Sequence, residues 1–161
     1  MDWQKLFQMQ QDLDHYILQQ HDLKNEEVFE KKVLALLVEI GELANETRCF
    51  KYWSLKSASP KKVIAEEYVD GIHFILSIGL VLGIEDYQDH ISRAEADTTT
   101  MFLHVYEAVT VLKNERTKAS FDKLFYTYLQ LGDNLGFTTE DIKNAYIEKN
   151  KINFDRQNSG Y

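Results

Sequence analysis

Two acidic pairs carry the most chemistry for their length. Glu39 and Glu42, in VLALLVEIGELANE, and Glu67 and Asp70, in AEEYVDGIHF, are each three residues apart, which on a helix puts both carboxylates on one face. Two helices that each present such a pair can surround a hard cation with the oxygen ligands Mg²⁺ prefers, leaving sites for water and substrate phosphates. Taken alone, the helix of Glu39 reads as readily as a solvated face, because Lys32, Glu42 and Glu46 share it. Glu67 and Asp70 instead share a face with Val63, Phe74 and Ile78. Carboxylates in so apolar a setting need a metal, a basic partner or a raised pKa. His73, one turn beyond Asp70, could add a ligand, although a satisfied core or supporting histidine is the simpler reading.

Further residues could recognise a nucleotide. Trp3, Phe7, Gln10, Asp14 and Ile17 follow alternating four- and three-residue steps, so two polar side chains interrupt a stripe that should face the core. A uracil edge presents acceptor, donor and acceptor, which a glutamine amide with a carboxylate could match in part; equally, Gln10 and Asp14 could satisfy each other. In FKYWS, Lys51 offers a cation for phosphate and Trp53 an indole face for stacking, or simply for packing. Near the C-terminus Tyr146, Lys149, Asn150, Asn153, Arg156 and Gln157 recur at helical spacing where an amphipathic helix would carry apolar residues. Such a stripe suits a sugar and phosphate chain, or a solvated terminal helix.

The elements that must position these residues are helices. Apolar spacing predicts them at roughly 2–20, 26–48, 60–83, 87–115 (with a break), 119–134 and 139–151. One proline and seven glycines among 161 residues leave little to punctuate the chain into strands. Ser59 and Pro60 read as N-cap and first helical residue, Gly83 as the stop of that helix, and Thr138 with Asp141 as another start. A hydrophobic content of 44% over this length suits one domain. The net charge of -8 argues against a nucleic-acid backbone as partner. An acidic protein can still bind nucleotides through cations. Cys49 stands alone, which leaves no intramolecular disulfide or cysteine-rich zinc site and suits a reducing compartment. The N-terminus lacks a secretory pattern, and the apolar run Ile72 to Leu82 is too short to span a bilayer, so a soluble, cytoplasmic protein without a membrane partner is expected.

In their order along the chain these segments resemble the dimeric, all-α dUTPases, a branch of the helical nucleotide pyrophosphohydrolases that includes MazG-like proteins. The resemblance rests on Gln10 with Asp14 four residues later, Glu39-x-x-Glu42 followed by Asn45, Phe50-Lys51-x-Trp53, Glu67-x-x-Asp70, and the ending Tyr146-x-x-Lys149-Asn150-x-x-Asn153-x-x-Arg156-Gln157-x-x-Gly160-Tyr161. The acidic pairs alone indicate only the superfamily; the tryptophan motif and the closing stretch point to dUTPase. Asp14 stands where many members have asparagine. After Trp53 the family's lysine is displaced by Ser54, leaving Lys56 as the nearest candidate.

The resemblance implies one all-α domain over residues 1–161, a bundle of five to six helices with a C-terminal tail that closes over substrate. It further implies a homodimer and Mg²⁺ held by Glu39, Glu42, Glu67 and Asp70. Glu42, with Glu39, is the candidate for activating water. Gln10, Asp14, Trp53 and their surroundings would form the uracil pocket, while Asn45, Lys51, Lys56, Tyr146, Lys149, Asn150, Asn153 and Arg156 would engage the rest of the substrate. The implied reaction is hydrolysis of dUTP to dUMP and pyrophosphate, with attack at the β-phosphorus and dUDP also accepted. A MazG-like enzyme acting on another nucleotide, and a catalytically silent helical dimer that binds a protein partner, are the alternatives. The unusually apolar third helix is a second reason to expect a dimer, and the polar tail after Asn150 is expected to be loosely held until substrate orders it.

Overall fold

The computed structural model describes residues 1–24, 28–88 and 96–160, and the described residues contain six α-helices and no strand. They are α1 (Trp3–His21), α2 (Phe29–Thr47), α3 (Lys61–Val81), α4 (Thr98–Glu115), α5 (Lys118–Asn134) and α6 (Thr139–Asn158). No helix among the described residues is long and apolar enough to cross a membrane. Side chains set most of the starts. Asp2 accepts from the Lys5 N–H, Asp97 from that of Thr100, and Thr117 and Thr138 form reciprocal capping boxes with Ser120 and Asp141.

The helix α3 is the centre of the bundle. It packs against α2, α6, α1 and α5, while α4 lies on α5 and α2. From Tyr68 to Gly79 all its residues are buried except Asp70 and Phe74. Its apolarity is therefore buried inside a single chain and is not in itself a reason for a dimer. The apolar surface that remains lies elsewhere, on α2 at Leu34 (63% exposed) and Val38 (50%), on α4 at Leu103, and in the α2–α3 loop.

A reciprocal pair fastens α3 to α5. The Tyr68 and Tyr128 rings stack at 4.8 Å. The Tyr68 hydroxyl donates to the Tyr128 carbonyl (3.1 Å) and the Tyr128 hydroxyl to the Tyr68 carbonyl (2.9 Å). Each phenol fits because a glycine of the opposite helix lies under it. A Cβ on Gly71 would sit 2.0 Å from the Tyr128 hydroxyl, and one on Gly132 2.3 Å from that of Tyr68.

Among the differences from the expected boundaries, three have a visible cause. The fourth helix starts at Thr98, not near residue 87. Gly83, at φ 73, ends the α3 region, and residues 84–88 are non-helical. Ile84 and Tyr87 nevertheless point inward, Tyr87 against Trp3 (6.2 Å) and Phe125 (4.5 Å), so an anchored segment imitates the three-residue spacing of a helix. The rest of that expected stretch, residues 89–95, lies outside the described residues. The start of α3 is one residue later than expected. Pro60 is the N-cap, and Ser59 instead bonds the Glu46 carboxylate through its hydroxyl and the Glu46 carbonyl through its N–H. Finally, α6 continues past residue 151 to Asn158. Phe154 meets the Tyr16 ring at 5.8 Å, and the Tyr16 hydroxyl donates to Asn158 (2.6 Å), which gives a stretch with little apolar content a docking surface on α1.

Candidate active site

Packing of α2 on α3 brings Glu39 to Glu67 and Asp70, with one carboxylate oxygen of each lying within 4.8 Å of the others. Three like charges partly removed from water hold protons more tightly. Burial is the main cause at each. It raises Glu39 to about 7, with Asp70, Glu42 and Glu67 adding to the effect and Lys149 opposing it. Burial and then Asp70 raise Glu67. At Asp70 the upward push of burial is countered by Lys149 of α6, whose ammonium lies 2.6 Å from Oδ2. Oxygen-only ligands, partial burial and a shared excess of negative charge fit a hard divalent cation. Glu42 is exposed and stands outside the tight group, though its charge acts on all three members.

The triad borders a cavity of about 480 Å³ between α1, α2, α3 and α6, within the range of small-molecule sites. Its polar wall is a locked network. Asp14 accepts from Gln10 Nε2 (2.8 Å), from Lys32 Nζ (2.9 Å) and from the Ser77 hydroxyl. A carboxylate that only accepts forces the Gln10 amide nitrogen toward it, so Gln10 Oε1 faces the Tyr146 hydroxyl (2.9 Å) and His73 Nδ1 (2.7 Å) and accepts from both. His73 is thereby the neutral Nδ1–H tautomer. Burial, helped by the Lys149 charge, lowers its pKa to about 3, and its ring stacks on Tyr146 at 4.0 Å. His73 thus joins the network around Gln10 and stands outside the group of Glu39, Glu67 and Asp70, while its Nε2 is buried without a hydrogen-bond partner, so it is not the fully satisfied core histidine expected. Gln10 and Asp14 do satisfy each other, yet both still line the cavity.

The sequence matches the family described as dUTPase over residues 2–161. The chain belongs to the dUTPase family. No curated protein gives a match. Membership in a hydrolase family, the all-α fold and the carboxylate group agree with one another.

Within this dUTPase-family chain the expected site residues divide into two groups. Gln10, Asp14, Glu39, Asp70, Lys149, Asn153 and Arg156 line the one cavity, with Glu67 joined to it through the triad. Tyr146 and Asn150 are buried beside it on α6, and Asn150 Nδ2 has no hydrogen-bond partner. Asn45, Lys51, Trp53 and Lys56 stand apart. Lys51 donates to Asn45 and lies over the Phe50 ring (5.6 Å), Arg48 Nε bonds the Lys56 carbonyl (3.1 Å), and Trp53 is 65% exposed between Phe50 and Tyr52. None of these four lines the cavity.

Sequence reasoning missed Lys32 and Ser77 as partners of Asp14, and Phe74 as the aromatic wall. The signals were present. Lys32 precedes Glu39 by seven residues on the same face, and Ser77 follows His73 by four. What no spacing states is that both converge on Asp14 of another helix.

Proposed function

We propose that the protein hydrolyses dUTP to dUMP and pyrophosphate in a Mg²⁺-dependent reaction, accepts dUDP as well, and works as a homodimer. The observation that carries this reading is the meeting, at one cavity, of the Glu39, Glu67 and Asp70 carboxylates with the locked Gln10–Asp14 wall and the cations Lys149 and Arg156, in a chain of the dUTPase family. Glu39, Glu67 and Asp70 would hold the metal, which when bound offsets the charge of the phosphate chain and acidifies water.

The chain's own residues supply the rest. Glu42, outside the tight group, keeps its oxygens available to take a proton from the attacking water as that water bonds to phosphorus and the α–β anhydride breaks. Lys149 and Arg156 attract the polyphosphate, and Asn153 offers amide contacts to the sugar. Phe74, half-buried in the cavity wall, presents an aromatic face to the base. The Gln10 amide is held in one orientation, so its second N–H is a fixed donor suited to a uracil carbonyl. Cytosine presents an amino group where uracil has O4, and an unmatched buried polar group discriminates far more strongly than one methyl group, for which about 10- to 200-fold is the usual range.

Pyrophosphate release from dUTP, dCTP, dTTP and dATP, each with and without Mg²⁺, tests the proposal. Turnover confined to dUTP and dependent on the metal is expected. Preference for another base would move the protein to a different nucleotide, and no release from any of them would refute the enzymatic reading.

A further inference from the structure

The carboxylate group already has a cation, and it is the protein's own. Lys149 Nζ lies 2.6 Å from Asp70 Oδ2, with both side chains largely buried. Its positive charge is felt by Glu39 and Glu67 as well as by Asp70. The ammonium thus does part of the work a divalent ion would do, neutralising crowded carboxylates that would otherwise repel. It also ties helices together. Tyr146 anchors α6 in the core through its hydroxyl bonds to Gln10 and the Leu6 carbonyl, and Lys149, one turn on, joins α6 to α3. Beyond it Phe154 and Asn158 of the same helix meet Tyr16 of α1.

An ammonium and a divalent cation cannot both contact one carboxylate oxygen at no cost, since their mutual repulsion at a few ångströms is strong in a partly buried site. We infer that Lys149 is a stand-in for the divalent cation: it occupies Asp70 in the metal-free protein and is expelled toward the cavity when a metal arrives. The ammonium, which lines that cavity, is then available to a polyphosphate. Metal loading and substrate capture become coupled, because the residue that contacts phosphate is released only once the metal has taken its place. The inference rests on the proposed divalent-cation site and adds an order of events to it.

Two measurements without nucleotide test the exchange. In the wild-type protein, the rate at which acetic anhydride modifies the Lys149 amine is followed by peptide mass spectrometry with and without Mg²⁺, using the exposed Lys113 and Lys123 as internal references. Faster modification of Lys149 in Mg²⁺ is expected; an unchanged or slower rate overturns the inference. Calorimetric Mn²⁺ titration then compares wild type with Lys149→Met and Arg156→Gln. Lys149→Met should bind Mn²⁺ at least about tenfold more tightly, the scale of one charge-assisted hydrogen bond no longer competing, and Arg156→Gln should gain much less. Equal gains in both variants would mean a general charge effect and refute the exchange, as would weaker binding by Lys149→Met. A wild-type protein that takes up no Mn²⁺ would instead refute the proposed metal site itself, and the exchange with it.

Discussion

Glu39 makes the metal-free protein sensitive to pH in a direction opposite to that of most carboxylates. Its ordinary value is 4.5 and its folded value about 7, so between these limits the folded state holds a proton that the unfolded chain has released. Stability without metal should therefore fall as pH rises from about 4.5 through about 7. Denaturant midpoints across this window should decline for the wild type, decline less for Glu39→Gln, and flatten when Mg²⁺ is present, because a bound cation favours the ionised form. A wild-type slope equal to that of Glu39→Gln would remove Glu39 as the cause. Glu42 is a separate case, since it lies outside the tight group. Glu42→Gln should retain Mn²⁺ binding while kcat falls by about 10²- to 10⁴-fold, the range for loss of a general base. Loss of Mn²⁺ binding in this variant would instead place Glu42 among the ligands.

At the scale of elements, the site depends on how closely α3 approaches its neighbours. Glu67 immediately precedes Tyr68, the residue that locks α3 to α5, so the lock sets the position of Glu67 and Asp70, two of the three triad members. Gly71→Ala places a Cβ 2.0 Å from the Tyr128 hydroxyl and must break the reciprocal bonds or separate the helices. A destabilisation of about 3 kcal/mol is expected, at the upper end for overpacking, with weakened Mn²⁺ binding in the same variant. A neutral result in urea denaturation would show that the two helices can part freely. The outer part of α6 differs in kind. Phe154 and Asn158 dock it on Tyr16, and Asn153 and Arg156 line the cavity. Truncation after Asn150 should lower Tm by only about 2–4 °C, corresponding to roughly 1 kcal/mol in a chain of this size, while kcat/KM for dUTP falls by about 100-fold or more, the scale of losing a preorganised charge contact. An unchanged kcat/KM would exclude this segment from the proposed site.

For the whole molecule, the question is what the remaining apolar surface does. The single chain buries α3 on its own, whereas Leu34 and Val38 project one turn apart from α2, and Tyr52, Trp53 and Leu55 are exposed in the following loop. Scattered apolar residues are common on protein surfaces, but an aligned exposed pair on one helix face suits an interface. Sedimentation should show a wild-type homodimer at micromolar concentration, and the double substitution Leu34→Glu and Val38→Glu should give a folded monomer. A wild-type monomer, or an undisturbed dimer in the double variant, would rule out this face as the contact.

Helix content was legible in the sequence because proline and glycine are scarce and the apolar spacing is regular. The same spacing overextended α4, since Ile84 and Tyr87 are buried from a non-helical segment, and fell short on α6, whose last turns lean on Tyr16 of a distant helix. The acidic pairs were equally legible as residue types at a three-residue spacing. Local spacing cannot state how two helices are set against each other, however, and that relation alone decides that Glu39 meets Glu67 and Asp70 while Glu42 stays in solvent. It also decides that Lys32 and Ser77 satisfy Asp14, that His73 bonds Gln10 and does not join the triad, and that Lys149 caps Asp70. The periodicity of a helix is a property of neighbouring residues and can be read from the chain. The partner of a buried charge lies 18 to 79 positions away in these contacts, and only the packed bundle brings it within hydrogen-bonding distance.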